Sequence, residues 1–260
     1  MRIVRFSTGD SFSFGAVGSP REQPGELVVA ELDGHPYGGI SLTGRTFPLA
    51  DVQLLAPVLP SKIVGIGKNY ADHAAEMGGT VPEVPIVFLK PSTAVVGPDA
   101  PIVYPEISTE VHHEAELAVV IGRLCRDVPA ERVPEVVFGY TCANDVTARD
   151  LQRSEGQWAR AKGFDTSCPL GPWVETELDP SNLAVTCTVN GETRQSGRTS
   201  EMVRSITDLI VHVTAAMTLL PGDVILTGTP AGVGPLQVGD EVAVTVEGIG
   251  TLTNRVIKRG

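Results

Sequence analysis

Val-His-His-Glu-Ala-Glu-Leu-Ala-Val-Val-Ile-Gly, residues 111–122, reads as a strand. Side chains two apart on a strand point to the same face, so Glu114 and Glu116 bring their carboxylates together. Two like charges crowded beside an apolar strand repel each other and lose hydration, which destabilises the fold unless a cation or a proton neutralises them. A divalent metal site is one outcome of that pattern, and a solvent-facing acidic pair on an edge strand is the other.

Downstream, a strand-like segment at 136–142 leads to Asp145, which opens Asn-Asp-Val-Thr-Ala-Arg-Asp-Leu-Gln (144–152). The segment 145–153 has helical character, and Asp is a favoured N-cap residue, so capping is the simple role for Asp145. Helical spacing also sets Asp145, Arg149 and Gln152 along one face, where a carboxylate faces a metal and two donors face an anionic ligand.

Further out, residues 1–18 alternate apolar and polar positions about Gly9-Asp10, as a hairpin does, and 25–32 reads as another strand. With Pro57 and Pro60 closing this region, 1–58 is expected to form a small β-rich domain and 59–260 the main one. Strands are expected at 61–67, 86–89, 182–189, 223–227 and, paired, within 238–256, with helices at 69–77 and 202–220. The 28 Gly and 20 Pro residues imply many turns. The fold class is therefore mixed β with some α.

The formal net charge of −11 argues against nucleic acid or an anionic membrane as partner, leaving a small molecule. An anionic substrate then needs a local reversal of the field, which a bound dication among a few Lys and Arg residues supplies. Cys125, Cys142, Cys168 and Cys187 are not closely spaced, and neither a signal peptide nor a bilayer-spanning apolar run is evident. A reduced cytoplasmic location and buried, structural cysteines are expected.

Two more stretches carry chemistry. Asn-Tyr-Ala-Asp-His-Ala-Ala-Glu-Met (69–77) sets His73 and Glu76 three apart on a helix, close enough for the carboxylate to orient the imidazole for proton transfer. Gly78-Gly79 and a proline-rich run follow, the surroundings expected of a mobile lid. Thr-Gly-Thr-Pro-Ala-Gly-Val-Gly (227–234) is a glycine-rich turn whose backbone N–H groups suit a carboxylate, and it lacks the ending of a Walker phosphate loop. Gly65-Ile66-Gly67-Lys68 fits neither the Walker nor the dinucleotide pattern.

In order, Gly-Lys-Asn-Tyr-Ala-Asp-His-Ala-Ala-Glu-Met, Phe-Leu-Lys-Pro-Ser, His-His-Glu-Ala-Glu-Leu, Asn-Asp-Val-Thr-Ala-Arg-Asp-Leu-Gln, Ala-Lys-Gly-Phe-Asp and Thr-Gly-Thr-Pro-Ala-Gly-Val-Gly make the chain resemble the fumarylacetoacetate hydrolase family over roughly residues 59–250. The resemblance implies a β-roll core, a homodimer, and Mg²⁺ or Mn²⁺ held by Glu114, Glu116 and Asp145, a set of hard oxygen ligands suited to those ions. It also implies that His73 and Glu76 are a catalytic dyad on a closing lid, that Lys162 and Gln152 face the substrate, and that Lys68, Asn69, Arg149 and Thr229 help bind it. The large N-terminal domain of the true fumarylacetoacetases is not seen. The chain is more similar to acylpyruvate hydrolases, oxaloacetate decarboxylases and the 2-hydroxyhepta-2,4-diene-1,7-dioate isomerases of homoprotocatechuate breakdown.

The expected substrate is thus a small 2-oxo acid. Its carboxylate and keto oxygen would chelate the metal, which stabilises an enolate formed by C–C hydrolysis, decarboxylation or isomerisation. The rival expectation is a non-catalytic module that uses the same metal to capture a carboxylate.

Overall fold

The computed structural model describes residues 1–9, 11–19 and 25–260; Asp10, at the expected first turn, lies outside the described residues. The stretch 111–122 forms two strands, Val111–His113 and Ala115–Ile121, with Glu114 at the break between them. Every residue of Ala115–Ile121 is buried. A strand covered on both faces needs apolar side chains on both, which is why its sequence runs on without alternating.

This strand lies in a twelve-stranded sheet, antiparallel to Val137–Asn144 on one side and to Val224–Leu226 on the other. Ala118 and Val120 pack in a cluster with Ile3, Phe14 and Leu170. Val119 and Ile121 pack in another with Leu209, Ile210 and Val213 of the helix Ile206–Ala216. Each such fully buried Leu or Ile contributes about 1.5–3 kcal/mol. A five-stranded sheet provides the third core, setting Val185, Cys187, Val244 and Leu252 against Leu117 and Cys142. The fold is mostly β.

The N-terminal strands Arg2–Ser7 and Phe12–Gly18 pair as the expected hairpin. Arg2–Ser7 also pairs with Cys168–Glu175, in the register Ile3↔Val174, so these strands extend the main sheet. The helix expected over 202–220 is confined to Ile206–Ala216, because Ser205 and Asp208 form a reciprocal capping box that fixes its start. Among the described residues no helix is long and apolar enough to cross a membrane.

Around Asp145 the structure differs from the sequence-based expectation. Residues 137–144 form a strand, Thr147–Ala148 pairs back onto Val111–His113, and the helix begins only at Arg149, with Ala148 at its N-cap position. Asp145 is therefore neither a cap nor on the helical face of Arg149 and Gln152. Its backbone N–H donates to Glu114 O at 2.9 Å, which ties the strand end to the break at Glu114.

Candidate metal centre and active-site cleft

That tie brings the acidic residues together. Glu114, Glu116 and Asp145 are all buried, and one carboxylate oxygen from each lies within 4.8 Å of the others. Buried cations surround them unevenly. Lys162 Nζ donates to Glu114 Oε2 at 2.7 Å and to Asp145 Oδ2 at 2.5 Å. Lys90 Nζ donates to Asp145 Oδ1 at 2.6 Å. Arg149 Nη2 lies 2.5 Å from Glu114 Oε1, a charge contact without an aligned hydrogen bond. Among the described residues Glu116 receives only a backbone donor, Gly228 N–H at 2.6 Å.

The acidities follow this pattern. Burial would raise the Glu114 carboxyl, but Lys162 and Arg149 outweigh it and hold the group well below its ordinary range. Burial, with Asp145 and Glu114 beside it, drives the Glu116 carboxyl well above. Burial alone would lower the Lys162 ammonium, yet Asp145 and Glu114 more than compensate and raise it. Three carboxylate oxygens converging beside one uncompensated carboxylate fit a hard dication, so Mg²⁺ or Mn²⁺ suits the donor set.

Glu114 and Glu116 open onto a cleft of about 180 Å³ lined by Lys68, His73, Arg149, Gln152, Lys162 and Thr229 among others. That is below the usual range for drug-sized ligands and suits a small acid. Phe88 and Trp158, edge-to-face at 5.5 Å, form an aromatic wall, and Lys162 Nζ lies 5.0 Å from the Phe88 ring. A Cβ at Gly65 would come within 2.2 Å of Phe88, and one at Gly67 within 2.9 Å of Trp158. The glycines of Gly65-Ile66-Gly67 thus serve to admit these rings.

His73 and Glu76 lie on the helix Ala71–Glu76, with His73 Nδ1 3.2 Å from Glu76 Oε2. Glu76 Oε1 also accepts from Gly232 N–H at 3.0 Å, so the 227–234 loop holds the helix over the cleft. Arg149 Nη1 donates to Gln152 Oε1 at 2.8 Å, leaving Arg149 Nε buried without a partner among the described residues.

Asn69 is placed differently from the rest of the expected set. Its side-chain amide donates to Thr227 O at 2.8 Å and to Arg204 O at 3.1 Å and accepts from Arg204 N–H, so it braces the loop from behind the cleft. Lys90 was not anticipated. The only signal for it was its place in Phe-Leu-Lys-Pro-Ser, since a lysine on an apolar strand shows no partner until the strands are assembled. The four cysteines are buried and free, and burial pushes Cys142, Cys168 and Cys187 to about 12.

Comparison with known proteins matches residues 62–257 to a family described as Fumarylacetoacetate (FAA) hydrolase C-terminal, and residues 1–57 to one described as Rv2993c-like, N-terminal. The crystal structure of 5-carboxymethyl-2-hydroxymuconate delta-isomerase from Mycobacterium smegmatis is 53% identical, with all of both chains covered and a TM-score of 0.93. Oxaloacetate tautomerase YcgM of Escherichia coli (strain K12) is 48% identical over 76% of this chain and 93% of its own length. Fumarylpyruvate hydrolase from Pseudomonas aeruginosa, solved in complex with Mn²⁺ and pyruvate, is 35% identical over 80% of this chain and 92% of that one, with a TM-score of 0.74.

Proposed function

The chain belongs to the fumarylacetoacetate hydrolase family, and from that premise we propose that it is a Mg²⁺- or Mn²⁺-dependent enzyme acting on a small 2-oxo acid through its enolate. The observation that carries this reading is the convergence of three buried carboxylates, two of which, Glu114 and Glu116, line a cleft with Lys162 and with His73, itself oriented by Glu76. A simple carboxylate-capture module has no use for a carboxylate-oriented imidazole, so the pair favours catalysis.

Glu114, Glu116 and Asp145 would hold the ion, which would supply Lewis-acid charge to an oxygen of the substrate. The buried cluster is formally neutral, with Lys90, Lys162 and Arg149 matching the three carboxylates. The dication therefore leaves it positive, which reverses the field of an acidic protein for an anionic substrate. Lys162 keeps its proton, since Asp145 and Glu114 raise its pKa against the effect of burial, and so acts as fixed positive charge and not as a base. Arg149, Gln152 and Lys68 are donors for carboxylate oxygens. His73, with Nδ1 on Glu76, is left with Nε2 to move a proton to or from carbon or water. Phe88 and Trp158 shield that exchange from bulk solvent.

The reactions in the names of the relatives fit one scheme. Tautomerisation and isomerisation take a proton from one position of the enolate system and return it at another, while hydrolysis breaks a C–C bond to reach the same enolate; decarboxylation, which no relative's name carries, would reach it in the same way. Within this reading the chain works as a homodimer with residues 1–58 and 59–260 as its two units, and it takes its substrate from solution, without nucleic acid or membrane. The test is a panel of oxaloacetate and acylpyruvates with Mg²⁺ or Mn²⁺, following enol absorbance against a metal-only control. Metal-dependent acceleration that EDTA abolishes is expected; no acceleration with any substrate would leave only the binding-module reading.

A further inference from the structure

Gln195 is fully buried on the strand Glu192–Arg198 and has none of the charge or reactivity that marks a functional residue. Its hydrogen-bonding capacity is nevertheless filled. Oε1 accepts from Ala115 N–H at 3.0 Å and pairs with His113 Nδ1 at 2.9 Å. Nε2 donates to Thr229 Oγ1 at 2.7 Å and to Pro230 O at 2.8 Å. An amide offers two acceptor sites and two donors, so all four are in use. The side chain bridges the residues flanking Glu114 to the loop that lines the cleft.

The backbone around Gln195 is shaped for the same loop. The strand pairing shifts between Cys187↔Gln195 and Thr188↔Thr193, so Arg194 is an extra, bulged residue. Gly232 has a φ of +99°, and a Cβ there would fall 2.1 Å from Arg194 O. A Cβ on Gly197 would fall 2.6 Å from Pro230. Two glycines thus allow the strand and the loop to approach at close range, and the Gln195 amide fixes their relative position. The loop so placed carries Gly228 N–H to Glu116, Thr229 to the cleft, and Gly232 N–H to Glu76.

The hydroxyl of Thr229 decides the consequence. It donates its one proton to Ala115 O at 2.8 Å and accepts from Gln195 Nε2, so it has no proton left for a ligand. The backbone N–H of Thr229 has no partner among the described residues. Resting on the 2-oxo-acid reading above, we propose that Gln195 is a positioning residue for substrate recognition, locking the Thr229 hydroxyl onto the protein so that a substrate carboxylate is received at Thr229 by the backbone N–H.

The probe is oxalate, a planar dicarboxylate with adjacent oxygens, titrated calorimetrically into Mn²⁺-loaded protein, with Mn²⁺ affinity measured separately. Gln195→Met frees the hydroxyl and the loop, and is expected to weaken oxalate binding about tenfold, the loss of roughly one buried hydrogen bond, with Mn²⁺ affinity within about threefold of wild type. Thr229→Ala removes the hydroxyl that Gln195 holds, together with its bond to Ala115 O, and is expected to weaken oxalate binding no more than Gln195→Met does, with the double variant no weaker than Gln195→Met alone. Should Gln195→Met not fold, Gln195→Asn, which withdraws the amide by one methylene, is read in the same way.

Unchanged oxalate affinity in the folded Gln195 variant, even with a lower melting temperature, would reduce Gln195 to a structural role and overturn the proposal. So would a double variant about tenfold weaker than either single variant, because Gln195 and the hydroxyl would then act on the ligand independently. Wild-type protein that binds no Mn²⁺ fails the metal-enzyme reading itself, a result distinct from either.

Discussion

Glu116→Gln and Asp145→Asn each remove one charged oxygen donor from the same cluster, yet the structure predicts opposite effects on the metal-free protein. Asp145 is held by Lys90 and Lys162, both buried. Replacing it by Asn leaves two ammonium groups short of a counter-charge, and breaking buried pairs of this kind costs about 3–5 kcal/mol. Glu116 has no cation in contact and is repelled by both neighbours. Two unit charges at 4.8 Å, the outer limit of the spacing among the three carboxylate oxygens, repel by about 3 kcal/mol at an effective dielectric constant of about 20.

Gln at 116 removes two such repulsions together with some attraction from Lys162, and still accepts the Gly228 N–H. Metal-free Glu116→Gln should therefore be more stable than wild type at pH 8 by about 2–4 kcal/mol, or on the order of 5–10 °C in a protein this size. The sign with pH follows from the raised pKa of Glu116. The folded state binds its proton more tightly than the unfolded one, so wild-type stability falls as pH rises above the ordinary carboxylate range, and Gln abolishes that fall.

Both variants should lose Mn²⁺ affinity by about 100-fold or more, since even outer partners of metal ligands contribute about 10–100-fold. Thermal melts of EDTA-treated protein at pH 5 and pH 8, with and without Mn²⁺, read all of this. A metal-free Glu116→Gln protein less stable than wild type at pH 8, or one that gains as much from Mn²⁺ as wild type does, would refute the reasoning.

His73→Ala should slow turnover by about 10²–10⁴-fold while leaving Mn²⁺ affinity unchanged, because the ring moves a proton and is no metal ligand; steady-state kinetics beside Mn²⁺ titration checks both. Asp223, buried and accepting from Ser61 N–H, Lys62 N–H, Lys62 Nζ and Leu220 N–H, is a structural counterpart. Asp223→Asn should cost about 2–4 kcal/mol in urea melts. Its carboxyl is held below the ordinary range, so that stability is present above about pH 4, the ordinary Asp value, and lost as pH falls through the depressed one. The buried thiols should resist iodoacetamide in native protein at pH 8 and react on unfolding, as mass spectrometry would count.

Much of this was legible in the sequence where a local period or a stop signal carried it. The 111–122 strand, the N-terminal hairpin, the His73–Glu76 helix and the hairpin Glu241–Val246 with Gly250–Lys258 all rest on spacing within a few residues. Alternation also pointed to Glu114 and Glu116, although the structure breaks the strand at Glu114 and ties that break to Asp145. Asp145 was found for a partly mistaken reason. It reaches the site from the end of a strand and not from a helix, because pairing of Thr147–Ala148 with Val111–His113 overrides the local helical character.

What stayed hidden depends on contacts between segments far apart in the chain. Lys90 lies 55 positions from Asp145, and Gln195 lies 34 from Thr229. Neither has a neighbour in sequence that betrays its partner. Asn69 shows the converse, a residue within a recognisable motif whose amide is occupied by loop backbone behind the cleft.

The most direct test of the account is anomalous diffraction from crystals grown with Mn²⁺. One strong peak per chain is expected, bonded by an oxygen from each of Glu114, Glu116 and Asp145. Manganese bound elsewhere, or a cluster that stays closed on Lys90 and Lys162 with no ion at millimolar Mn²⁺, would contradict it.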